Sequence, residues 1–247
     1  MISKAKVKFI KSLQLKKYRK EEQSFIVEGS KGVEELLRSS FEVQWVAATA
    51  SFLHRYEENL VKRRIEFVEA NEKELSTMGT FLTNEGALAI ATTKQNASSE
   101  IRTEFALVLD DIRDPGNLGT IIRTADWYGI KSIIASKETA DFYNPKVINA
   151  SMGSFCRVNV YYTDLVQYLT DVSLPIFGAF LNGSNVHATD FGKSGFIVVG
   201  NEAQGISPAI QSLVKIPITI AKRGGAESLN ASIATAIILD NVFRLQE

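Results

Sequence analysis

Phe196-Ile-Val-Val-Gly-Asn-Glu-Ala-Gln-Gly-Ile-Ser207 decides how this chain of 247 residues is read. A β-branched run ends at Gly200, polar Asn201 and Glu202 follow, and a second glycine arrives at Gly205. That is the pattern of a buried strand stopping at a bend, where backbone N–H and C=O groups lie bare. Downstream, Glu227-Ser-Leu-Asn-Ala-Ser-Ile-Ala234 sets Ser228 and Asn230 where a long apolar segment begins. Side-chain oxygens and unpaired N–H groups gather at such a helix mouth. Two polar, glycine-assisted loops at the ends of buried elements suit a nucleotide-like ligand.

Strand and helix patterns alternate around that stretch. Apolar runs predict strands at 105–109, 131–135, 157–161, 175–181, 196–199 and 214–220. Helical spacing falls at 118–128, 164–170 and 207–213, and near 145–152. Such alternation predicts an α/β fold whose largely parallel sheet is covered on both faces, with ligands at the carboxyl ends of the strands. Gly200 and the turn-rich bridge Asp110-Asp-Ile-Arg-Asp-Pro-Gly-Asn117 both lie at such ends. Upstream, strands at 24–29, 43–48, 65–68 and 87–91 alternate with helices at 30–38, 50–63 and 71–78, a small α/β unit of its own. Polar residues break the periodicity near 94–103, so the expected division is 1–95, a linker at 96–103, and 104–247. The last helix, expected over 228–245, is apolar nearly all round, as a helix buried from two sides would be. A second copy of the chain covering it is the economical reading; burial in the chain's own core is the alternative.

Composition narrows the class. Cys156 stands alone, which excludes an intrachain disulfide and fits a reducing cytoplasm, and its apolar neighbours suggest a small buried hydrophobe. His54 and His187 belong to no ligand-spaced cluster, so no metal centre is expected. No apolar run approaches the roughly 20 residues of a membrane span, and no apolar stretch of the secretory kind follows the N-terminal charges. Net charge is zero but unevenly spread. Residues 1–20 carry Lys4, Lys6, Lys8, Lys11, Lys16, Lys17, Arg19 and Lys20 and no acid, which leaves 20 basic against 28 acidic residues downstream. A basic arm on an acidic body suggests contact with a phosphate backbone; a solvated tail is the plainer alternative.

Neither common phosphate motif is present. The bridge before the 118–128 helix lacks the G-x-G-x-x-G spacing, and Gly29-Ser-Lys-Gly32 lacks the ending of a phosphate loop. Arg123 interrupts the apolar series Ile121, Ile122, Ala125, Trp127, where a guanidinium calls for a partner or an anionic ligand.

Asn117-x-Gly119-x-x-x-Arg123-x-Ala125-x-x-x-Gly129, Gly200-Asn-Glu-x-x-Gly205 and Ser228-Leu-Asn230 resemble, in order and spacing, the three motifs of the SpoU/TrmH family. These are RNA ribose 2′-O-methyltransferases of the SPOUT superfamily. Ser151-Met-Gly-Ser154 is similar too, and Phe25-Ile-Val-Glu-Gly29 resembles part of that family's substrate-binding domain. The resemblance implies a C-terminal parallel-sheet SPOUT domain with a deep trefoil knot, a homodimer whose partner completes the site, and S-adenosylmethionine as cofactor. It implies cofactor binding at Gly200, Ile220 and Leu229, with Gly205 and Ser228 nearby. Arg123 becomes the catalytic arginine, while Asn117, Glu202, Ser228 and Asn230 shape and orient the site. Lys16, Lys17, Arg19 and Arg123 are the candidate RNA contacts. Ribosomal RNA is preferred over transfer RNA because the N-terminal part resembles that of rRNA-acting members. A non-catalytic RNA-binding or assembly factor of the same fold and a small-molecule methyltransferase are the alternatives. Retention of Arg123, Glu202 and Asn230 opposes the first; the basic arm and extra domain oppose the second. Three positions depart from the family pattern: Ala203 for a common glycine, Ala221 for a common proline, and Asn149 for a common arginine. The first two change loop stiffness mildly, and the third bears on substrate choice.

Overall fold

The computed structural model describes residues 2–98 and 101–244. The linker expected at 96–103 and the helix expected to reach 245 therefore fall partly outside the described residues. Contacts divide the chain into two units. The first is Met1–Gln95 together with Asp141–Cys156, and the second is Asn96–Ala140 together with Arg157–Glu247.

In the first unit the basic segment is not a tail. It forms α1 (Lys4–Ser12) and α2 (Lys16–Glu22). Val7, Ile10 and Leu13 recur every third residue, and Ile10 and Leu13 are fully buried against Ile26, Trp45, Leu75, Met78 and Ile90. Dense lysines hid that stripe. Four strands follow in the spatial order β1-β4-β2-β3: β1 (Ser24–Glu28), β2 (Val43–Ala48), β3 (Glu66–Glu69) and β4 (Ala87–Thr92). β4 runs antiparallel to both neighbours, while β2 and β3 are parallel. α3 (Ser30–Arg38), α4 (Ala50–Lys62) and α5 (Glu72–Met78) fall where the periodicity predicts them. Asn71 and Glu74 close a reciprocal capping box at the start of α5. The carboxylate of Glu28 is buried and accepts from Thr80 N (2.8 Å), Thr80 Oγ1 (2.7 Å) and Phe81 N (3.2 Å).

The 141–156 segment completes this unit. It carries the short helix α7 (Pro145–Ala150) and a 3-10 turn at Ser154–Cys156, and Phe155 and Tyr143 pack around Phe25. Cys156 is half-buried rather than buried. Arg19 corrects an expectation. It is 3% exposed, with Nη2 2.5 Å from Asp141 Oδ2 and Nη1 donating to Leu13 O (2.9 Å) and Gln14 O (2.8 Å). A guanidinium so enclosed is not available to an RNA phosphate; it ties α1 to α2. Arg19→Ala is expected to cost about 2–3 kcal/mol in a denaturant melt, less than a fully buried pair because Asp141 keeps some solvent contact. Lys17→Ala, at an exposed ion pair with Glu21, is expected to change stability by about 0.5 kcal/mol or less.

In the second unit all six strands are parallel, in the order β10-β8-β9-β5-β6-β7. They are β5 (Phe105–Asp110), β6 (Ser132–Ala135), β7 (Asn159–Tyr162), β8 (Ile176–Asn185), β9 (Gly195–Gly200) and β10 (Ile216–Thr219). β5 and β9, at the centre, are almost wholly buried, which is why they read as continuous apolar runs rather than alternating ones. Ala106, Val108, Phe196 and Val198 meet Leu165 and Leu169 of α8 (Leu165–Thr170) and Ile210 of α9 (Pro208–Gln211) on one side. α6 (Pro115–Trp127) and α10 (Ala231–Phe243) pack together. Tyr128 just past α6 donates to Asp240 Oδ1 (3.0 Å) and stacks on Phe243.

The last helix is not fully covered by its own chain, which was the alternative to cover by a second copy. Within the chain Ile233 stays 51% exposed and Leu229, just before the helix, 45%. Among the described residues no helix is long and apolar enough to cross a membrane.

Candidate active site

Because the sheet is parallel, β5, β9 and β10 all open their carboxyl ends on one edge. There the bridge 111–114, the turn 200–207 and the loop 220–230 emerge. Asp110 and Gly200 are register partners. Asp110, buried, accepts from Ser207 N (2.7 Å) and so closes the turn onto β5.

The turn is built by Asn201 and two glycines. Asn201 Oδ1 accepts from Ala203 N (2.9 Å) and Gln204 N (3.2 Å), while its Nδ2 donates to Asp111 O (2.9 Å). Asn201 and Gly205 exchange both backbone hydrogen bonds. Gly205 has φ +70°, which a side chain rarely tolerates, and its N–H is spent on Asn201. It therefore shapes the turn. Gly200 is required by space: a Cβ there would lie 2.2 Å from Gly205 C and 2.3 Å from Ile206 N. Asp111, the first residue after β5, sits at φ +61°, a conformation Asp tolerates at a cost of about 1 kcal/mol. Sequence reasoning passed over Asn201 and Asp111 as site builders; an Asn directly after a strand-ending Gly was the available signal.

Three of the expected site residues meet. Asp114 caps α6 by accepting from Asn117 N (2.8 Å), and Pro115 occupies its first turn. Asn117 then lies on the opening turn of the helix. Its Nδ2 donates to Glu202 Oε1 (2.5 Å), and its Oδ1 accepts from Asn230 Nδ2 (2.9 Å). Asn230 caps α10, its Oδ1 taking Ser232 N (3.0 Å), Ser232 Oγ (2.6 Å) and Ile233 N (3.4 Å). The cap fixes which way the Asn230 amide faces, Asn230 fixes Asn117, and Asn117 fixes Glu202. One hydrogen-bonded chain thus links the third motif, the first and the second.

That chain yields a test. Asn230→Asp keeps a good helix cap but offers an acceptor where Asn117 Oδ1 now accepts a hydrogen bond. We expect the thermal midpoint to stay near wild type while turnover at this site falls about tenfold or more, read from a melt and an activity assay on one preparation.

The remaining expected residues lie apart. Residues 221–230 are exposed throughout, and Ile220 is half-buried. Among the described residues the backbone groups of Ile220, Ser228 and Leu229 make no hydrogen bond to other backbone. Free N–H and C=O groups beside the half-exposed Leu229 side chain are a fitting donor and acceptor set for an adenine base, so the loop fits the cofactor implied by the motifs. Ser228 is exposed and bonds to nothing described. Arg123 is exposed rather than embedded, and among the described residues it makes no hydrogen bond or ion pair. Six residues beyond Asn117, it stands about 9 Å along the helix and about 120° round it. Lys16 and Lys17 are exposed on α2 of the first unit. No group of three or more His, Cys, Asp or Glu that could hold a metal ion occurs among the described residues.

Comparison with known proteins agrees with this geometry. The profile of the SpoU rRNA Methylase family matches residues 104–240, and that of the MRM3-like substrate binding domain matches residues 4–89. The chain is similar to the 23S rRNA (guanosine(2553)-2′-O)-methyltransferase RlmP of Bacillus subtilis, 29% identical over 95% of this chain and 94% of that one. Among solved structures, an AdoMet-bound rRNA methyltransferase from Sinorhizobium meliloti superposes with a TM-score of 0.89 at 29% identity, covering 99% of this chain and 96% of that one. A TrmH-family protein from Porphyromonas gingivalis gives 0.86 at 33% identity, with 99% of both chains covered. Matched over more than half its length and with the three motifs joined at one sheet edge, the chain belongs to the SpoU rRNA methylase family.

Proposed function

We propose that the protein is a homodimeric, S-adenosylmethionine-dependent methyltransferase of the cytoplasm that acts on a ribose 2′-OH of ribosomal RNA. The single observation that carries this is the Asn230–Asn117–Glu202 chain at the carboxyl edge of a parallel sheet in a member of this family. A relative similar over nearly the whole of both chains is named for ribose methylation of 23S rRNA, and the N-terminal match is to a substrate-binding domain. These favour ribosomal over transfer RNA. Cofactor binding belongs to the backbone of Gly200, Ile220 and Leu229, with Ser228 beside them and Gly205 holding the turn. The trefoil knot belongs to the same reading, supported by the family match and the six-stranded parallel sheet.

When bound, S-adenosylmethionine supplies an electrophilic methyl carbon on a cationic sulfur. The rest of the work falls to the chain. The chain's own residues would have to orient the ribose 2′-oxygen towards the donor and give its proton a route out. Glu202 presents a carboxylate whose orientation Asn117 sets, and the N-capping Asn230 holds Asn117 in turn. Arg123 serves best as a hydrogen-bond donor to the developing oxyanion. A guanidinium offers five N–H donors in a fixed fork and no acceptor, which suits that role.

Arg123 points away from its own Asn117, and this supports the homodimer. α6 also leaves Trp127 85% exposed, and α10, which packs against it, leaves Ile233 51% exposed. Apolar side chains this bare on two adjoining helices favour a second copy seated there, which would bring Arg123 to the partner's cleft. Calorimetry of cofactor binding, with methyl transfer to total RNA and mapping of 2′-O-methyl positions with and without the gene, tests the proposal. Absence of binding and of transfer would reject it.

A further inference from the structure

We infer that the α1–α2 corner is a preformed reader of unpaired RNA, in which Tyr18 stacks on a base and Lys16, Lys17 and Lys20 hold the flanking phosphates. This rests on the proposed action on RNA and adds to it where and in what form the substrate is gripped. The corner is rigid. Leu13 is fully buried, Gln14 Nε2 donates to Gly79 O (3.3 Å), and Arg19 spans Leu13 O, Gln14 O and Asp141 from inside. Leu15, extended at φ −96° and ψ 130°, interrupts the helical path between α1 and α2. On this pinned frame Leu15 is 59% and Tyr18 37% exposed.

Helix geometry sends Lys17 to the side opposite Arg19, with Tyr18 and Lys20 flanking it. Lys17 Nζ lies 5.7 Å from the Tyr18 ring centroid, so a cation already sits against the aromatic group. Lys17 also has a loose, exposed contact to Glu21 (3.8 Å), which a phosphate can displace at little cost. Lysines alone would read only a phosphate backbone. An aromatic group and an apolar neighbour projecting among them add a stacking platform, which unpaired bases can use and the closed stack of a duplex cannot. Fixing the corner in advance removes ordering cost from binding. The charge complements RNA and nothing acidic intervenes before Glu21.

The test uses the full-length protein, a labelled heteropolymeric single-stranded RNA of about 20 nucleotides, and a duplex of equal length, read by fluorescence anisotropy across a salt series. We expect the single strand to bind more tightly than the duplex. Tyr18→Ala should weaken it about tenfold, and Tyr18→Trp should stay within about twofold of wild type. Lys16→Glu with Lys17→Glu should lower the salt slope by about 1.4, two phosphates' share for a single strand. Cofactor affinity should be unchanged in all variants. Photo-crosslinking of wild type should place RNA on the peptide containing residue 18, a readout that does not depend on any variant folding. Unchanged binding by Tyr18→Ala, equal loss in Tyr18→Ala and Tyr18→Trp, or crosslinks only elsewhere would overturn the corner while leaving the proposed reaction standing. A wild type that binds no cofactor and methylates no RNA would instead reject the reaction, and the anisotropy result would still decide the corner.

Discussion

Arg123→Ala is expected to reduce methyl transfer by about 10²–10³-fold or more, while cofactor affinity stays within about threefold of wild type. The split follows from placement. Arg123 is exposed on α6 and, among the described residues, makes no hydrogen bond to the loop 220–230 proposed to hold the cofactor, so its removal leaves that surface intact. On the proposed reading, what is lost is the cation that meets the developing oxyanion. Arg123→Lys should recover little, since a point charge does not replace a planar fork. A sharper version tests the second copy. Arg123→Ala and Asn230→Asp chains, each nearly inactive alone, are coexpressed with different tags and the mixed dimers assayed. If the arginine crosses between copies, random pairing restores about a quarter of wild-type sites. Recovery at background level, with mixed dimers demonstrably present, would mean that each chain uses its own Arg123.

Gly200→Ala is expected to be the most damaging single methyl group in the second unit. The added carbon would stand 2.2–2.4 Å from Gly205 C, Gly205 O and Ile206 N, all backbone, so no rotamer change relieves it. The turn would have to open, breaking the paired Asn201–Gly205 hydrogen bonds and disturbing the closure of Ser207 N onto Asp110. We expect about 3 kcal/mol of stability to be lost. Cofactor affinity should drop by more than tenfold, because Glu202 and the Gly200 backbone move together. Denaturant titration and calorimetry check the two effects separately. Near-normal values in both would show that the turn yields more easily than its backbone contacts imply.

Different features of this chain are legible in its sequence to different degrees. Alternation of apolar runs located the ten strands within a few residues, because β5, β9 and β1 are buried on both faces and look the same from any register. Helix starts were less legible. α6 begins at Pro115 and α10 at Ala231, and both boundaries are set by side-chain caps, Asp114 and Asn230, that periodicity does not register. The basic segment was read from its charge, and charge concealed the Ile10 and Leu13 stripe that folds it. Arg19 shows the same confusion at one residue: it belongs to a lysine-rich run by sequence and to the interior by contacts. Within the site, the spacing of Asn117, Glu202 and Asn230 was visible, but their mutual hydrogen bonds join residues 85 and 113 positions apart. Pattern cannot supply that. The left-handed Asp111 was silent for a related reason, since a second aspartate after a strand has no distinctive signature. Arg123 reads as embedded in the sequence because its neighbours there are apolar. On a helix the side chains beside it in space are three and four positions away: Thr120 and Trp127, both exposed, and Asp126, half-buried, with Gly119 adding no side chain.

The excursion of residues 141–156 into the first unit bears on how this protein can be dissected. A fragment beginning at residue 96 would keep Phe155 and Tyr143 but not the Phe25 ring they pack around, and would leave Asp141 without Arg19. The complementary fragment would have the reverse defect, a guanidinium and an aromatic socket built for a peptide it no longer owns. Neither half of such a cut is a finished folding unit, so a fair truncation has to carry this loop with its hosts or graft a replacement across Ala140 and Arg157.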